Sequence, residues 1–181
     1  MQLSTKHIAE MSILLALSAV LEVVFMLFPS LPQGGSVSLS MLPIFVLTYR
    51  YGLGLGILAG GIFGLINFML SGFQLYGVWQ SFFLDYLFAF MVLGFSALAF
   101  RINKNSVVVF GLGIFVGSLA RFLMHYVSGI VLFGEFAPED QAVWLYSLLY
   151  NGSYMGASFL LSLVVGLALF KRLIFPMQQA L

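Results

Sequence analysis

The sequence carries very little charge. Only 7% of its 181 residues are Asp, Glu, Lys or Arg, and 62% are hydrophobic, whereas a soluble domain has roughly 25% charged residues. So few charges cannot form a water-facing skin, and most of the surface must therefore face lipid. The net charge of +1 excludes a nucleic-acid binder, which needs a concentrated basic face. Cysteine is absent, which excludes disulfides, thiolate metal sites and cysteine nucleophiles. The lysines, Lys6, Lys104 and Lys171, lie outside any glycine-rich context. There is thus no GxxxxGK(S/T) phosphate loop, and no ATP hydrolysis by that route. Neither HExxH nor GxSxG occurs, and no nucleophile–base pair is recognisable. The expectation is a protein that is not an enzyme and uses no metal or cofactor. Two similar halves, common in inverted-repeat transporters, are also missing.

What the chain has in abundance is long apolar runs. A spanning helix needs ~20 mostly apolar residues. Runs of this kind lie near 8–28, 37–50, 52–71, 78–100, 106–132 and 142–170. They predict an all-α integral membrane protein, a six-transmembrane-helix bundle forming one membrane domain over 1–181. The first run follows Lys6 and His7 and continues to Phe28. It is too long for a signal-peptide h-region and ends without a small-residue cleavage site, so it is expected to be a retained span. The second run is short, contains Pro43, and meets the third at Arg50-Tyr51-Gly52. Charge placement supports it. With six spans and the N-terminus inside, Lys6, Arg50, Arg101, Lys104, Lys171 and Arg172 all fall at cytoplasmic ends. The opposite loop at 134–141 then carries Glu135, Glu139 and Asp140. This is the positive-inside pattern, with Arg121 the one basic residue left over. Both termini are then cytoplasmic.

Small residues repeat at helical spacing. Gly52, Gly56, Gly60 and Gly64 recur every four residues, and Gly113-Gly117 and Gly152-Gly156 repeat the motif. Such glycines let helices approach closely, and the expectation for all three sets is packing inside the bundle. Ala9, Ser12, Ala16 and Ala19 form a small-residue stripe on the first span. It reads equally as internal packing or as a flat docking face for a partner helix.

Ionisable groups inside spans are costly and point to function. Here they are Glu22, Asp85, Arg121 and His125. Asp85, the Arg121/His125 pair, and Tyr146, Tyr150, Asn151 and Tyr154 fall at one depth, just below the outer surface, on spans four, five and six. Arg121 and His125 are four apart and share a helix face, as do Tyr146, Tyr150 and Tyr154. Around them lie Tyr76, Trp79, Tyr86, Tyr126, Phe133 and Trp144. Aromatic faces stack on rings and attract cations, while a carboxylate, an amide and phenols fix orientation. The composition suits a pocket for a small, flat, polar aromatic molecule. The alternative is a buried Asp85–Arg121 ion pair that holds helices together, with tyrosines forming an interfacial belt. Glu22 has no obvious partner in the sequence. The loop after span one, from Pro29 to Ser36 and including Gln33, Gly34 and Gly35, is turn-rich. It is either a connector or a lid over the pocket.

These residues carry a resemblance. SLPQGGSVSLSMLPIF at 30–45, FLDYLFAF at 83–90, LARFLMHYVSGIVLFGEFAP at 119–138 and WLYSLLYNGSYM at 144–155 resemble the thiamine-specific S components of energy-coupling factor (ECF) transporters, the ThiT family. The resemblance covers essentially the whole chain. It implies a six-helix fold in the bacterial cell membrane with thiamine bound near the outer face. It also implies a membrane scaffold subunit and two cytoplasmic ATPase subunits as partners. The family's acidic pocket residue falls on Asp85 and its basic position on Arg121. Its histidine, tyrosine and asparagine fall on His125, Tyr146 and Asn151. Its ring-stacking tryptophan falls on Phe133, and a loop tryptophan falls near Gly34 and Gly35, so two family tryptophans are replaced here. Its docking motif falls on Ser12 and Ala16. The expected ligand-binding set is completed by Tyr86, Gln33, Tyr76 and Tyr150. Two rivals use the same residues: a binder of another flat vitamin or a thiamine precursor, and a stand-alone proton-coupled transporter with Glu22, Asp85 and His125 as a relay.

Overall fold

The computed structural model describes residues 4–75, 79–103 and 106–178, with side chains as far as Arg172. Tyr76 and Lys104 lie outside the described residues. All the described elements are helical. The first helix, α1 (Thr5–Phe25), opens with a capping box: Ser4 Oγ accepts the His7 backbone N–H, and the His7 ring accepts the Ser4 N–H. These bonds satisfy donors that a helix start leaves free. Five more helices follow: α2 (Met41–Tyr51), α3 (Leu53–Leu70), α4 (Phe82–Phe100), α5 (Val107–Val131) and α6 (Val143–Gln178). Their order is the one the apolar runs predict. All except α2 are long and apolar enough to cross a bilayer.

The short α2 is the centre of the bundle, and residues 41–49 are all buried. A helix that is apolar all round belongs inside. Its 11 residues cover only about 16 Å at ~1.5 Å per residue. Residues 37–40, expected to be helical, instead run in non-helical backbone into Met41. Pro43 falls in the first turn of α2, where its missing N–H would have no helical partner anyway. Two contacts fix the level of α2 against α1. Near its start, Ser38 Oγ donates to Glu22 Oε2 at 2.6 Å. At its end, Arg50 pairs with Glu10 at 2.9 Å, and the Tyr51 hydroxyl also donates to Glu10. Glu10 and Glu22 are twelve residues apart on α1, about 18 Å, which matches the length of α2. The chain reverses through Gly52, whose φ of 80° is open to glycine and strained for other residues.

Helix α3 packs on its neighbours through three of the four expected glycines. A Cβ at Gly56 would strike the Thr48 side chain of α2 and then Gly94, and Cβ atoms at Gly60 and Gly64 would run into the Phe90 and Tyr86 carbonyls of α4. Gly52 departs from expectation, with nothing within 4 Å of its missing Cβ; it serves the turn instead. In α5, Gly113 faces the Phe100 ring and Gly117 the Phe45 ring. The third glycine pair departs from expectation. Gly156 has nothing within 4 Å of its missing Cβ, and Gly152 meets only the edge of Phe122 at 4.0 Å, because both sit on a face of α6 that does not press against a neighbour.

Helix α1 lies at the side of the bundle, and only Leu15, Ser18 and Glu22 on it are buried. Ala9, Ser12 and Ala16 are exposed and Ala19 is half-buried. The small-residue stripe therefore faces mainly outward rather than packing internally. Helix α1 begins and α6 ends at the end of the bundle marked by Glu10, Arg50 and the buried ring cluster Tyr49, Phe100, Phe110 and Phe170. The polar residues gather at the other end.

Candidate functional site

At that other end α1, the 26–36 loop, α3, α4, α5 and α6 enclose a cavity of about 320 Å³. The first turns of α4 shape one wall. Residues Phe82–Leu87 form a π-helical stretch, one residue wider per turn than an α-helix, and such turns recur at functional sites. This stretch carries Asp85 and Tyr86, and both line the cavity. Opposite, α5 contributes Arg121 and His125 from successive turns, and α6 contributes Tyr146, Tyr150, Asn151 and Tyr154. Gln33, Gly34 and Gly35 come from the loop, and Phe133 from just beyond α5. Of the expected ligand-binding residues, all those described fall on this one cavity.

The charged centre is a chain of hydrogen bonds. Arg121 Nε donates to His125 Nε2 at 3.3 Å, and His125 Nδ1 lies 3.0 Å from Asp85 Oδ1. A guanidinium N–H can only donate, so His125 Nε2 must accept. That leaves the proton on Nδ1, which donates to the carboxylate, and the imidazole is neutral. The other carboxylate oxygen, Oδ2, accepts Ser128 Oγ at 2.7 Å. Asp85 is thus an anion held by two donors, and the direct Asp85–Arg121 ion pair is not formed: His125 stands between them. The Arg121 guanidinium instead sits 3.8 Å above the Phe90 ring, a cation–π contact.

The 29–36 loop is built as a cover. Leu31 and Gly35 close a turn through Leu31 N–H to the Gly35 carbonyl at 2.7 Å and Gly34 N–H to the Leu31 carbonyl at 2.9 Å. Gly34 takes a φ of 89°, a conformation that suits glycine. Gly35 lies flat on the Tyr154 ring, where a Cβ would stand 2.6 Å from a ring carbon. Its N–H donates to the Tyr150 hydroxyl at 3.1 Å, and the Tyr146 hydroxyl donates to Gln33 Oε1 at 3.4 Å. Two tyrosines of the α6 stripe therefore hold the loop down. The α6 face is itself braced. Asn151 Nδ2 donates to the Ser147 carbonyl at 3.0 Å, and its Oδ1 accepts the Tyr154 hydroxyl at 2.8 Å. Ser147 Oγ reaches back to the Tyr126 carbonyl of α5 at 2.8 Å.

Some expectations fail. Trp79 and Trp144 are 64% and 53% exposed and do not line the cavity. Trp79 precedes α4 and Trp144 starts α6, so both rings point away from the enclosed side. Tyr126 stacks on Phe122 instead. Conversely, Glu22, Asn67 and Gly129 line the cavity, and Ser128 supports it from behind, without being expected there. Asn67 had a readable signal, a lone amide in the apolar run of α3. Ser128 had none, since a serine in a spanning helix usually bonds its own backbone.

Fold and site together define a multi-pass membrane protein built around one loop-covered, polar and aromatic small-molecule cavity. Comparison with known proteins narrows this class. The sequence profile of the family described as Thiamine transporter protein (Thia_YuaJ) matches residues 8–175. The thiamine transporter ThiT of Bacillus subtilis is 38% identical over 174 residues, covering 91% of this chain and 90% of the relative. That of Lacticaseibacillus paracasei is 31% identical over 142 residues, covering 69% and 68%. A solved structure of ThiT from Listeria monocytogenes superimposes with a TM-score of 0.79 over 92% of this chain and 93% of that one; at 24% identity the likeness is one of fold. The chain belongs to this thiamine transporter family. It is a transport protein rather than an enzyme, and a multi-pass protein of the bacterial cell membrane.

Proposed function

We propose that this chain is the substrate-binding S component of an ECF-type importer and that its ligand is thiamine, taken up with high affinity from outside. The observation that carries the reading is the Asp85 carboxylate. It is held by His125 and Ser128, unpaired with any guanidinium, and turned into a cavity walled by aromatic rings. An anion so placed is a counter-ion for a flat organic cation, and thiamine carries a thiazolium ring. The cavity volume of about 320 Å³ falls at the small end of ligand pockets, in keeping with a small vitamin. In this reading the thiazolium sits against Asp85, with the rings of His125 and Phe133 beside it. Tyr146 and Asn151 orient the aminopyrimidine. Asn151 uses the lone pair of Oδ1 that Tyr154 leaves free. The 29–36 loop is the lid, released when Tyr150 and Gln33 let go.

In this reading the energy comes from partner subunits, in keeping with a sequence that has no phosphate loop of its own. The partners are then a membrane scaffold subunit and two cytoplasmic ATPase subunits. The outward face of α1, with Ala9, Ser12 and Ala16 exposed, is the proposed docking surface, with Ala19 at its half-buried edge. The cavity faces outside and both termini lie in the cytoplasm, as the basic residues at the Arg50 end favour. The proton-relay alternative gains no support from the hydrogen bonds: Glu22 bonds to Ser38, not to the Asp85–His125 pair. The test is uptake of labelled thiamine into vesicles. Uptake that requires the scaffold, the ATPases and ATP supports the proposal. Uptake by this chain alone, driven by a pH gradient, contradicts it.

A further inference from the structure

Glu22, which ties α1 to Ser38, is a buried carboxylate with more acceptor capacity than that one contact uses. It is 6% exposed. Its Oε2 accepts Ser38 Oγ at 2.6 Å. The Ser38 hydroxyl also accepts the Ser40 N–H at 3.1 Å and lies 3.0 Å from the Ser40 hydroxyl, so its one hydrogen is already engaged. Glu22 Oε1 accepts no hydrogen bond, and no cation lies within 4 Å of either oxygen, among the described residues. Yet Glu22 lines the same cavity as Asp85 and Arg121. A desolvated carboxylate with one neutral donor is unfavourable unless positive charge compensates it.

The charged side chains that line the cavity do not balance. Glu22 and Asp85 contribute −1 each, Arg121 contributes +1, and His125 is neutral by the hydrogen bonds above, so −2 + 1 leaves −1. The single Arg121 charge serves two carboxylates, Asp85 reached through His125 and Glu22 across the cavity, so one negative charge is left over. Without the Glu22 charge, Asp85 would remain as counter-ion in a lining of zero net charge, with a weaker pull on a cation. We propose that Glu22 is a specificity-determining residue: it sets the cavity at one negative charge, so that the site selects a monocation over a neutral or anionic molecule of the same shape. The inference rests on the thiamine reading of the site and deepens it.

The test measures two affinities on the purified full-length chain by calorimetry. One ligand is thiamine; the other is its neutral isostere with a thiophene in place of the thiazolium. Glu22→Gln keeps an acceptor for Ser38 and removes the charge. It is expected to weaken thiamine roughly tenfold or more while leaving the isostere within about twofold, so the preference for the cation falls by about the same factor, the remainder being set by Asp85. Ser38→Ala removes the hydrogen bond and keeps the charge, and it is expected to retain the preference. If Glu22→Gln does not fold, Glu22→Met, similar in volume, is read by the same ratio. An unchanged ratio in the folded Glu22 variant, whether both affinities fall or neither does, overturns the inference and leaves Glu22 as a brace between α1 and Ser38. Failure of the wild-type chain to bind thiamine at all overturns the parent reading instead, and this inference with it.

Discussion

A methyl group at Gly64 couples packing to binding. A Cβ there would stand 2.6 Å from the Tyr86 carbonyl oxygen and 3.1 Å from Leu87 Cα. Both atoms are backbone, so neither can swing aside. Ordinary contact begins near 3.4 Å, so Gly64→Ala must push α3 and α4 apart by about 3.4 − 2.6 = 0.8 Å. Overpacking of this kind costs about 1–3 kcal/mol, and alanine recovers up to ~1 kcal/mol over glycine in a helix. The expected net loss is up to about 2 kcal/mol. The effect on the site is larger in consequence, because the carbonyl that is pushed belongs to the π-helical stretch carrying Asp85. A binding constellation tolerates roughly 0.5 Å of displacement, so thiamine affinity should fall by about tenfold or more. Gly156→Ala, with nothing within 4 Å of the new methyl, is the control and should bind as wild type. The assay is calorimetric titration in detergent beside thermal unfolding. Wild-type affinity and an unchanged Tm in Gly64→Ala would refute the claim that α3–α4 contact sets the position of Asp85.

Other substitutions probe single contacts. Tyr150→Phe removes the acceptor for the Gly35 N–H, a neutral hydrogen bond worth ~1 kcal/mol. Ligand release in stopped-flow fluorescence should quicken by about fivefold, and an unchanged release rate would remove Tyr150 from the lid. Ser128→Ala removes the donor to Asp85 Oδ2. A hydrogen bond to a charged group is worth about 1.5–3 kcal/mol, so thiamine should bind roughly tenfold more weakly or worse, and equal affinity would show that His125 alone holds the carboxylate. Glu10→Gln breaks the ion pair with Arg50 at the far end of the bundle. It should lower the Tm, by a loss of about 1 kcal/mol, and leave the thiamine affinity untouched; a change in affinity would mean that the two ends are coupled.

Much of the site was legible because it depends on helical spacing. Arg121 and His125 four apart, and the tyrosines at 146, 150 and 154, fix which faces turn inward. The structure turns those faces to one cavity. The glycines at 56, 60 and 64 were legible for the same reason. Spacing alone could not say which face of α6 is crowded, so Gly152 and Gly156 read as packing residues and are not. The half-length α2 was hidden because the serines at 38 and 40 do not interrupt the apolar run that includes Val37 and Leu39, although 37–40 form non-helical backbone. The π-helical stretch leaves no mark on apolar periodicity over six residues. The setting of Glu22 was out of reach, since its partner Ser38 lies sixteen residues away on that non-helical segment. The intervening His125 was also unreadable: the sequence places Asp85 and Arg121 at one depth, but only the geometry shows which of them touch.

The central claim is that the Asp85 carboxylate is the counter-ion of thiamine in this cavity. Its most direct test is calorimetric titration of thiamine into the purified wild-type chain and into Asp85→Asn. Removing one partner of a buried charge pair costs about 2–5 kcal/mol. The account predicts one saturable site in the wild type and roughly 30-fold or greater weakening in a folded Asp85→Asn variant. Equal affinity in the two chains would contradict it.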